Sequence, residues 1–185
     1  MTVTVVGIGG SVRPDSQSER AMHAVLDGAR EAGAKVRAIG GESLILPFYD
    51  PHVAERTDAA RELVAALRAA DGVVLSSPGY HGTISGLMKN AVDYVEDLRD
   101  DERPYFDGRA VGCVGAAYGW QAAVTTLQAL RSVVHSLRGW PTPLGAAVNS
   151  TEVRFGPDGE CSDPKLAGTL RTIGTQLVEF AEHRC

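Results

Sequence analysis

The chain has 185 residues, of which 44% are hydrophobic and 22% charged, with a formal net charge of −5. These proportions describe an ordinary soluble globular chain, read as one domain over 1–185. The negative balance gives no electrostatic reason to expect nucleic acid or an anionic membrane as partner. No apolar run approaches the roughly 20 residues that span a bilayer.

The opening "MTVTVVGIGG" has no basic segment ahead of its apolar run, so a secretory signal is not expected. Cys113, Cys161 and Cys185 are scattered and lack CxxC spacing. They read as incidental thiols of a cytoplasmic chain rather than as a disulfide framework or a zinc site. His23, His52, His135 and His183 likewise show no spacing that would build a metal site.

The first predicted strand, residues 3–8, is apolar at nearly every position, as a strand buried on both faces should be. After a loop at 9–18, Met22, Val25, Leu26 and Ala29 follow helical spacing. A second strand is predicted at 36–39. The connection "GGESLILPFYDPHVAER" then either packs over the sheet edge or serves association. Ala60, Leu63, Val64 and Leu67 mark the second helix, and residues 72–75 the third strand. A loop at 77–83 leads to a third helix carrying Met88, Ala91, Val92 and Val95. The charged insert "EDLRDDERPYFDG" is expected to be a solvated surface loop. A fourth strand at 110–114 precedes a loop at 115–120 and a helix with Leu127, Leu130, Val134 and Leu137. A fifth strand at 144–148 is followed by a helix with Leu166, Leu170, Ile173, Leu177 and Phe180. Strands alternating with helices imply a parallel sheet covered on both faces. Ligands of such sheets bind beyond the C-terminal strand ends, which directs attention to the loops at 9–18, 77–83 and 115–120.

The first loop, "GIGGSVRPDSQSER", fits neither the dinucleotide fingerprint, whose third glycine position falls on Val12, nor a Walker loop, whose terminal lysine is missing. It does place the hydroxyls of Ser11, Ser16 and Ser18, the amide of Gln17 and the guanidinium of Arg13 at a helix start. Unpaired amides there carry partial positive charge and favour an anion, and arginine can add two parallel donors. The plainer alternative is that Ser16-x-x-Glu19 is a capping box that only starts the helix, and that the glycines only turn the chain.

The second loop, "SSPGYHGTISGLMKNAVDYV", turns at Pro78-Gly79 and sets Tyr80, His81, Gly82 and Thr83 before a helix. Pro78, Tyr80, Gly86, Lys89, Asn90 and Asp93 meet the pattern P-x-Y-x(5)-G-x-x-K-N-x-x-D. With the serine-rich first loop upstream, the chain resembles the NADPH-dependent FMN reductase family. The resemblance implies a flavodoxin-like fold: a doubly wound, five-stranded parallel sheet of order 2-1-3-4-5 with helices on both faces. It implies FMN as cofactor, with its phosphate on Ser11, Arg13, Ser16, Gln17 and Ser18. Pro78, Gly79, Tyr80, His81, Gly82, Thr83 and Ile84 would line the isoalloxazine ring, and Ala117, Tyr118, Gly119 and Trp120 would close its pyrimidine end. Many members carry a glycine pair in this third loop. Gly79, where members often have Glu or an apolar residue, would open space beside the ring. Lys89, Asn90 and Asp93 read as structural residues of the following helix.

On this reading NADPH or NADH stacks on the flavin and passes a hydride to its N5, while backbone amides of the third loop stabilise charge near N1 and O2. No side chain is nominated as catalytic acid, base or nucleophile. The electrons would go, as reduced flavin, to a partner oxygenase, or directly to a small acceptor such as a quinone, azo compound or metal oxyanion. The alternatives are a reductase that keeps FMN bound, a flavodoxin-like electron carrier or regulator, and a domain that binds another phosphate. The resemblance also implies a homodimer or homotetramer.

Overall fold

The computed structural model describes residues 2–13 and 15–183. The elements run β1 (Thr4–Gly9), α1 (Gln17–Glu31), β2 (Lys35–Gly40), α2 (Asp58–Ala69), β3 (Gly72–Tyr80), β4 (Thr83–Ile84) and α3 (Gly86–Asp93). They continue with β5 (Ala110–Ala117), α4 (Trp120–Ser136), β6 (Trp140–Pro141), β7 (Ala146–Asn149) and α5 (Pro164–His183). The parallel path is β2-β1-β3-β5-β6, with β7 also parallel to β5 and β4 antiparallel to β3.

This is the expected flavodoxin-like sheet with two changes. The fifth strand is split into β6 and β7, both on the outer edge of β5. Between the pairs Val111–Pro141 and Val114–Ala146, that edge holds two more residues than β5 does. Pro143 lies in the gap, where a missing amide costs no ladder bond. The second change is the short β4, which turns the end of β3 into a hairpin.

The central strands β1, β3 and β5 are buried on both faces and serve two cores at period two. Val6, Ile8, Val73, Leu75, Val111 and Cys113 pack with α2, α3 and α4; Val3, Val5, Val74, Val114 and Val148 pack with α1 and α5. The thiols of Cys113 and Cys161 are free, and burial pushes that of Cys113 up to about 12. Cys185 lies outside the described residues.

The connection after β2 lies over α3 and is fixed by hydrogen bonds. Asn90 accepts from Tyr49 N (2.9 Å) and donates to the carbonyls of Leu46 (3.3 Å) and Pro47 (2.9 Å). The Tyr94 hydroxyl donates to Pro47 O as well (3.0 Å). Arg56 grips Asp97 with two bonds, of 2.7 and 2.8 Å, and lies over the rings of Tyr49 and Tyr94. That guanidinium holds the Asp97 carboxyl below its ordinary range. Asn90 therefore has the structural role its position suggests, and Asp93 pairs with Lys89 one turn away.

The charged insert departs from expectation. Leu98 and Phe106 are fully buried, and the adjoining Arg109 is only 1% exposed. The Arg109 guanidinium donates to the carbonyls of Ala70 (2.9 Å), Tyr105 (2.9 Å) and Arg68 (3.0 Å). Burial lowers its pKa to about 10, so it stays charged at neutral pH and ties the insert to the start of β3.

Helices α1 and α5 approach backbone to backbone. A Cβ on Gly28 would stand 2.6 Å from Arg171 Cα, and one on Gly174 would stand 2.8 Å from the carbonyl carbon of Gly28. A methyl there meets main chain, which cannot swing aside, and such overpacking costs about 1–3 kcal/mol. The gain in helix propensity from glycine to alanine is at most about 1 kcal/mol. Gly174→Ala should therefore lower the melting temperature by a few degrees, at about 2–4 °C per kcal/mol for this size. Gly168→Ala, in the same helix but with open space around its Cβ position, should raise it. Thermal denaturation of the pair checks the sign; two shifts in the same direction would reject the packing argument.

Only half of the expected capping box forms at α1. Ser16 Oγ accepts from Glu19 N at 3.2 Å, but the Glu19 carboxylate turns toward Gly40 instead of returning to the cap. Its Oε2 is buried and has no hydrogen-bond partner. Burial pushes the Glu19 carboxyl above its ordinary 4.5, opposed by His23 and reinforced by Asp15. A raised folded-state pKa contributes stability that is present below the unfolded value and lost as pH rises through the folded one. Glu19→Gln should therefore raise the melting temperature at about pH 8, with the gain shrinking toward about pH 4. A gain that does not vary with pH would assign the effect to packing instead.

Candidate functional site

The C-terminal ends of β1, β3 and β5 open into a cavity of about 330 Å³ lined by Ser11, Arg13, Ser16, Gln17, Ser18, Pro78, Gly79, Tyr80, Ala117 and Tyr118. Four further lining residues come from Asp15, Ala116, Ser150 and Arg154. The three loops picked out in the sequence thus meet in one place.

Buried hydroxyls hold these loops together. Ser76 donates to Ser18 O at 2.6 Å, which fixes the first turn of α1 on β3. Ser85 donates to Gly10 O at 2.7 Å and accepts from Met88 N at 3.0 Å, so it caps α3 and anchors the first loop together. Ser77 Oγ accepts from Ser85 N at 3.0 Å. At the polar end of the cavity, Ser16 Oγ and Ser18 Oγ lie 3.1 Å apart, and Ser11 Oγ accepts from Arg13 N at 3.2 Å. Gln17 is partly committed elsewhere: its Oε1 accepts from Phe155 N at 2.9 Å, leaving its Nε2 to donate.

The other end is small and apolar. A Cβ on Gly115 would stand 2.6 Å from Ala123 O and 2.7 Å from Leu127 N, so this glycine lets α4 settle on the ends of β3 and β5. A Cβ on Gly79 would strike Thr126 Oγ1 of the same helix. The absent side chain at 79 therefore admits α4, which is a different use from opening room beside a ring. Tyr80 and Tyr118 stand at the mouth, 53% and 80% exposed.

The remaining sequence-predicted residues lie outside the lining. His81 and Gly82, at φ of 50° and 89°, form the turn of the β3–β4 hairpin, and His81 is exposed. Thr83 pairs with Tyr80, and Ile84 is buried in the core. Gly119, at φ 113°, is the N-cap of α4; its amide donates to Asn149 Oδ1 at 2.9 Å, and no side chain caps the first-turn amides. Trp120 Nε1 donates to Glu152 Oε1 at 2.8 Å, which turns the indole toward the segment after β7.

Sequence reasoning passed over Ser150 and Arg154. Both follow β7, and the same strand-end rule that selected the other loops applies to that strand. Asp15 pairs with Arg20 at 3.0 Å, so its negative charge is compensated where it borders the cavity. No group of three or more His, Cys, Asp or Glu side chains suited to a metal ion occurs among the described residues.

The lining suits a flavin mononucleotide. Three hydroxyls, two guanidiniums and a helix start offer donors to a phosphate, and Pro78, Gly79, Ala116 and Ala117 border space for a flat ring.

The profile of the NADPH-dependent FMN reductase family matches residues 3–152. An NADPH azoreductase from Bacillus sp. (strain OY1-2) is 25% identical over 138 residues, 74% of each chain. An FMN-dependent NADPH-azoreductase from Staphylococcus aureus (strain USA300) is 29% identical over 135 residues, 72% of this chain and 68% of that one. Among solved structures, the flavoenzyme NAD(P)H:(acceptor) oxidoreductase FerB from Paracoccus denitrificans superposes with a TM-score of 0.77 at 21% identity, covering 98% of both chains. An NADH:FMN oxidoreductase (EMOB) gives 0.71 at 18% identity, over 98% of this chain and 90% of that one. At these identities the superpositions speak for the fold, whereas the profile spans most of the chain. The chain belongs to the NADPH-dependent FMN reductase family and is an NAD(P)H-dependent flavin oxidoreductase.

Proposed function

We propose that this reductase keeps FMN in the strand-end cavity and reduces small, flat acceptors such as azo compounds or quinones at its mouth. The carrying observation is the division of the cavity into a phosphate-like end, with hydroxyls and guanidiniums, and a small-residue end open beside Tyr80 and Tyr118. The azoreductase relatives support the choice of acceptor.

FMN held here would supply the redox chemistry, namely two-electron transfer from NADPH or NADH to the acceptor. Ser11, Arg13, Ser16, Gln17 and Ser18 hold its phosphate. Pro78, Gly79, Ala116 and Ala117 would border its ring. Tyr80 and Tyr118, exposed at the mouth, would help to position nicotinamide and acceptor against the ring.

The same reading includes a cytoplasmic homo-oligomer. Phe48 is 91% exposed on a connection that Asn90, Tyr94 and Arg56 hold in place, and Ile45 and Val53 are exposed beside it. A fixed apolar surface of this kind fits association with a second copy. The free thiols of Cys113 and Cys161 suit a reducing compartment.

Protein loaded with FMN and then desalted should stay yellow and oxidise NADPH on addition of an azo dye or a quinone, with no free flavin present. A rate that depends on added FMN in the assay would overturn the bound-cofactor reading in favour of FMN as a diffusible substrate. Bound flavin without NAD(P)H oxidation would point to an electron carrier.

A further inference from the structure

The arginines of this chain are almost all engaged. Arg20, Arg30, Arg37, Arg56, Arg61, Arg68, Arg99, Arg103 and Arg171 pair with carboxylates. Arg109 and Arg131 donate to carbonyl oxygens, and Arg138 lies 5.2 Å from the centre of the Tyr105 ring. Among the described residues only the guanidiniums of Arg13 and Arg154 meet no carboxylate, carbonyl or ring, and both line the same cavity. Chance exposure does not account for this, since exposed arginines elsewhere on the surface find partners.

Arg154 is presented by a built support. Residues 154–162 double back on themselves: Phe155 and Cys161 form an antiparallel bridge, Gly156 N donates to Glu160 O at 2.8 Å, and Ser162 N donates to Arg154 O at 2.9 Å. Arg154 N in turn donates to Ser162 Oγ at 3.0 Å. Phe155 is buried against α1 and α5. Two side chains of the first turn of α1 fasten this segment to the phosphate end of the cavity: Gln17 through Phe155 N, and Arg20 through Gly156 O. Arg20 also engages Asp15, so the one carboxylate in the lining is neutralised by a residue of the same joint.

We infer that Arg154, which shares the cavity lining with Arg13, is a second cationic ligand of the cofactor's phosphate, and that the pair sets the preference for FMN over riboflavin. This inference rests on the proposed reading that FMN occupies the cavity. It adds a residue just beyond the stretch 3–152 that matches the family. A phosphate carries about two negative charges, so one guanidinium leaves it undercompensated in a chain of net charge −5. Two guanidiniums, held on separate elements, match the charge and can each donate in parallel to its oxygens. The Gln17 bond to Phe155 joins α1 to the 154–162 segment, so the backbone that carries Arg154 is fixed beside the first turn of α1 before the ligand arrives.

The test is flavin binding, read by quenching of flavin fluorescence, with FMN and riboflavin titrated separately into the wild type, Arg154→Ala, Arg154→Lys and Arg13→Ala. Arg154 is exposed, so these variants should fold; circular dichroism and melting temperature confirm it. Arg154→Ala should weaken FMN binding about tenfold, the loss of one charge-assisted contact, and leave riboflavin within about twofold. Arg154→Lys should recover part of the loss. The wild-type preference for FMN should also decline with added salt, and decline less in Arg154→Ala. Equal losses for FMN and riboflavin, or no loss for either, would overturn the role of Arg154 while leaving FMN binding intact. An unchanged FMN titration together with a KM raised for NADPH but not NADH would also overturn it, because the phosphate served would be the nicotinamide's. A wild type that binds neither flavin would overturn the proposed function and this inference together.

Discussion

A parallel sheet covered by helices on both faces leaves no room for polar chemistry along its strands, so ligand contacts are confined to the loops at the strand ends. Those loops are short and come from separate parts of the chain, and something must hold them in register. Here buried serine hydroxyls do so. Ser76 binds α1 to β3, and Ser85 binds the first loop to α3 while capping that helix. Hydroxyls satisfied in a low-dielectric interior are costly to disturb, so the joint behaves as a rigid part of the scaffold.

That rigidity decides how an acidic chain can receive acidic ligands. At a distance the net charge of −5 opposes both FMN and NADPH, though salt screens this beyond about 8–10 Å. What matters is the local field, and the cavity lining carries two uncommitted cations and one committed anion. Arg20 is central without facing the ligand. By pairing with Asp15 and binding Gly156 O, it removes a repulsive charge and positions the segment that presents Arg154.

The elements most legible in the sequence were those whose pattern is set by two-sided burial. Val3, Val5, Val6 and Ile8 could only suit a strand with a core on each side, and the stripes of α1 and α2 proved buried at every marked position. The three site loops were legible through glycine, serine and proline at strand ends. Features that obey no period were missed. Nothing in "YHGT" announces that a non-glycine residue, His81, takes a φ of 50° to turn a hairpin. The insert at 96–108 read as solvated because its acids dominate the composition, although Leu98, Phe106 and the neighbouring Arg109 carry its structural role. Arg154 was invisible for a related reason. Its contact with the site depends on Gln17 and Arg20 reaching across more than 130 positions of sequence, and no local pattern encodes such a bond.

The placement of His81 bears on how the reaction is divided between protein and cofactor. It is the histidine nearest the site in sequence and would be the natural candidate for a proton donor. Its backbone turns the hairpin tip outward, and it does not line the cavity. The titratable side chains that do line it are Asp15, engaged by Arg20, the two arginines, and the tyrosines at the mouth. What this lining offers a ligand is charge, hydroxyl donors and shape. Hydride transfer to a flavin places that demand on a protein: hold two rings in contact and stabilise the charge that results. The serines, guanidiniums and small residues of the lining are suited to that demand, because they supply donors to an anion and leave room for stacked rings.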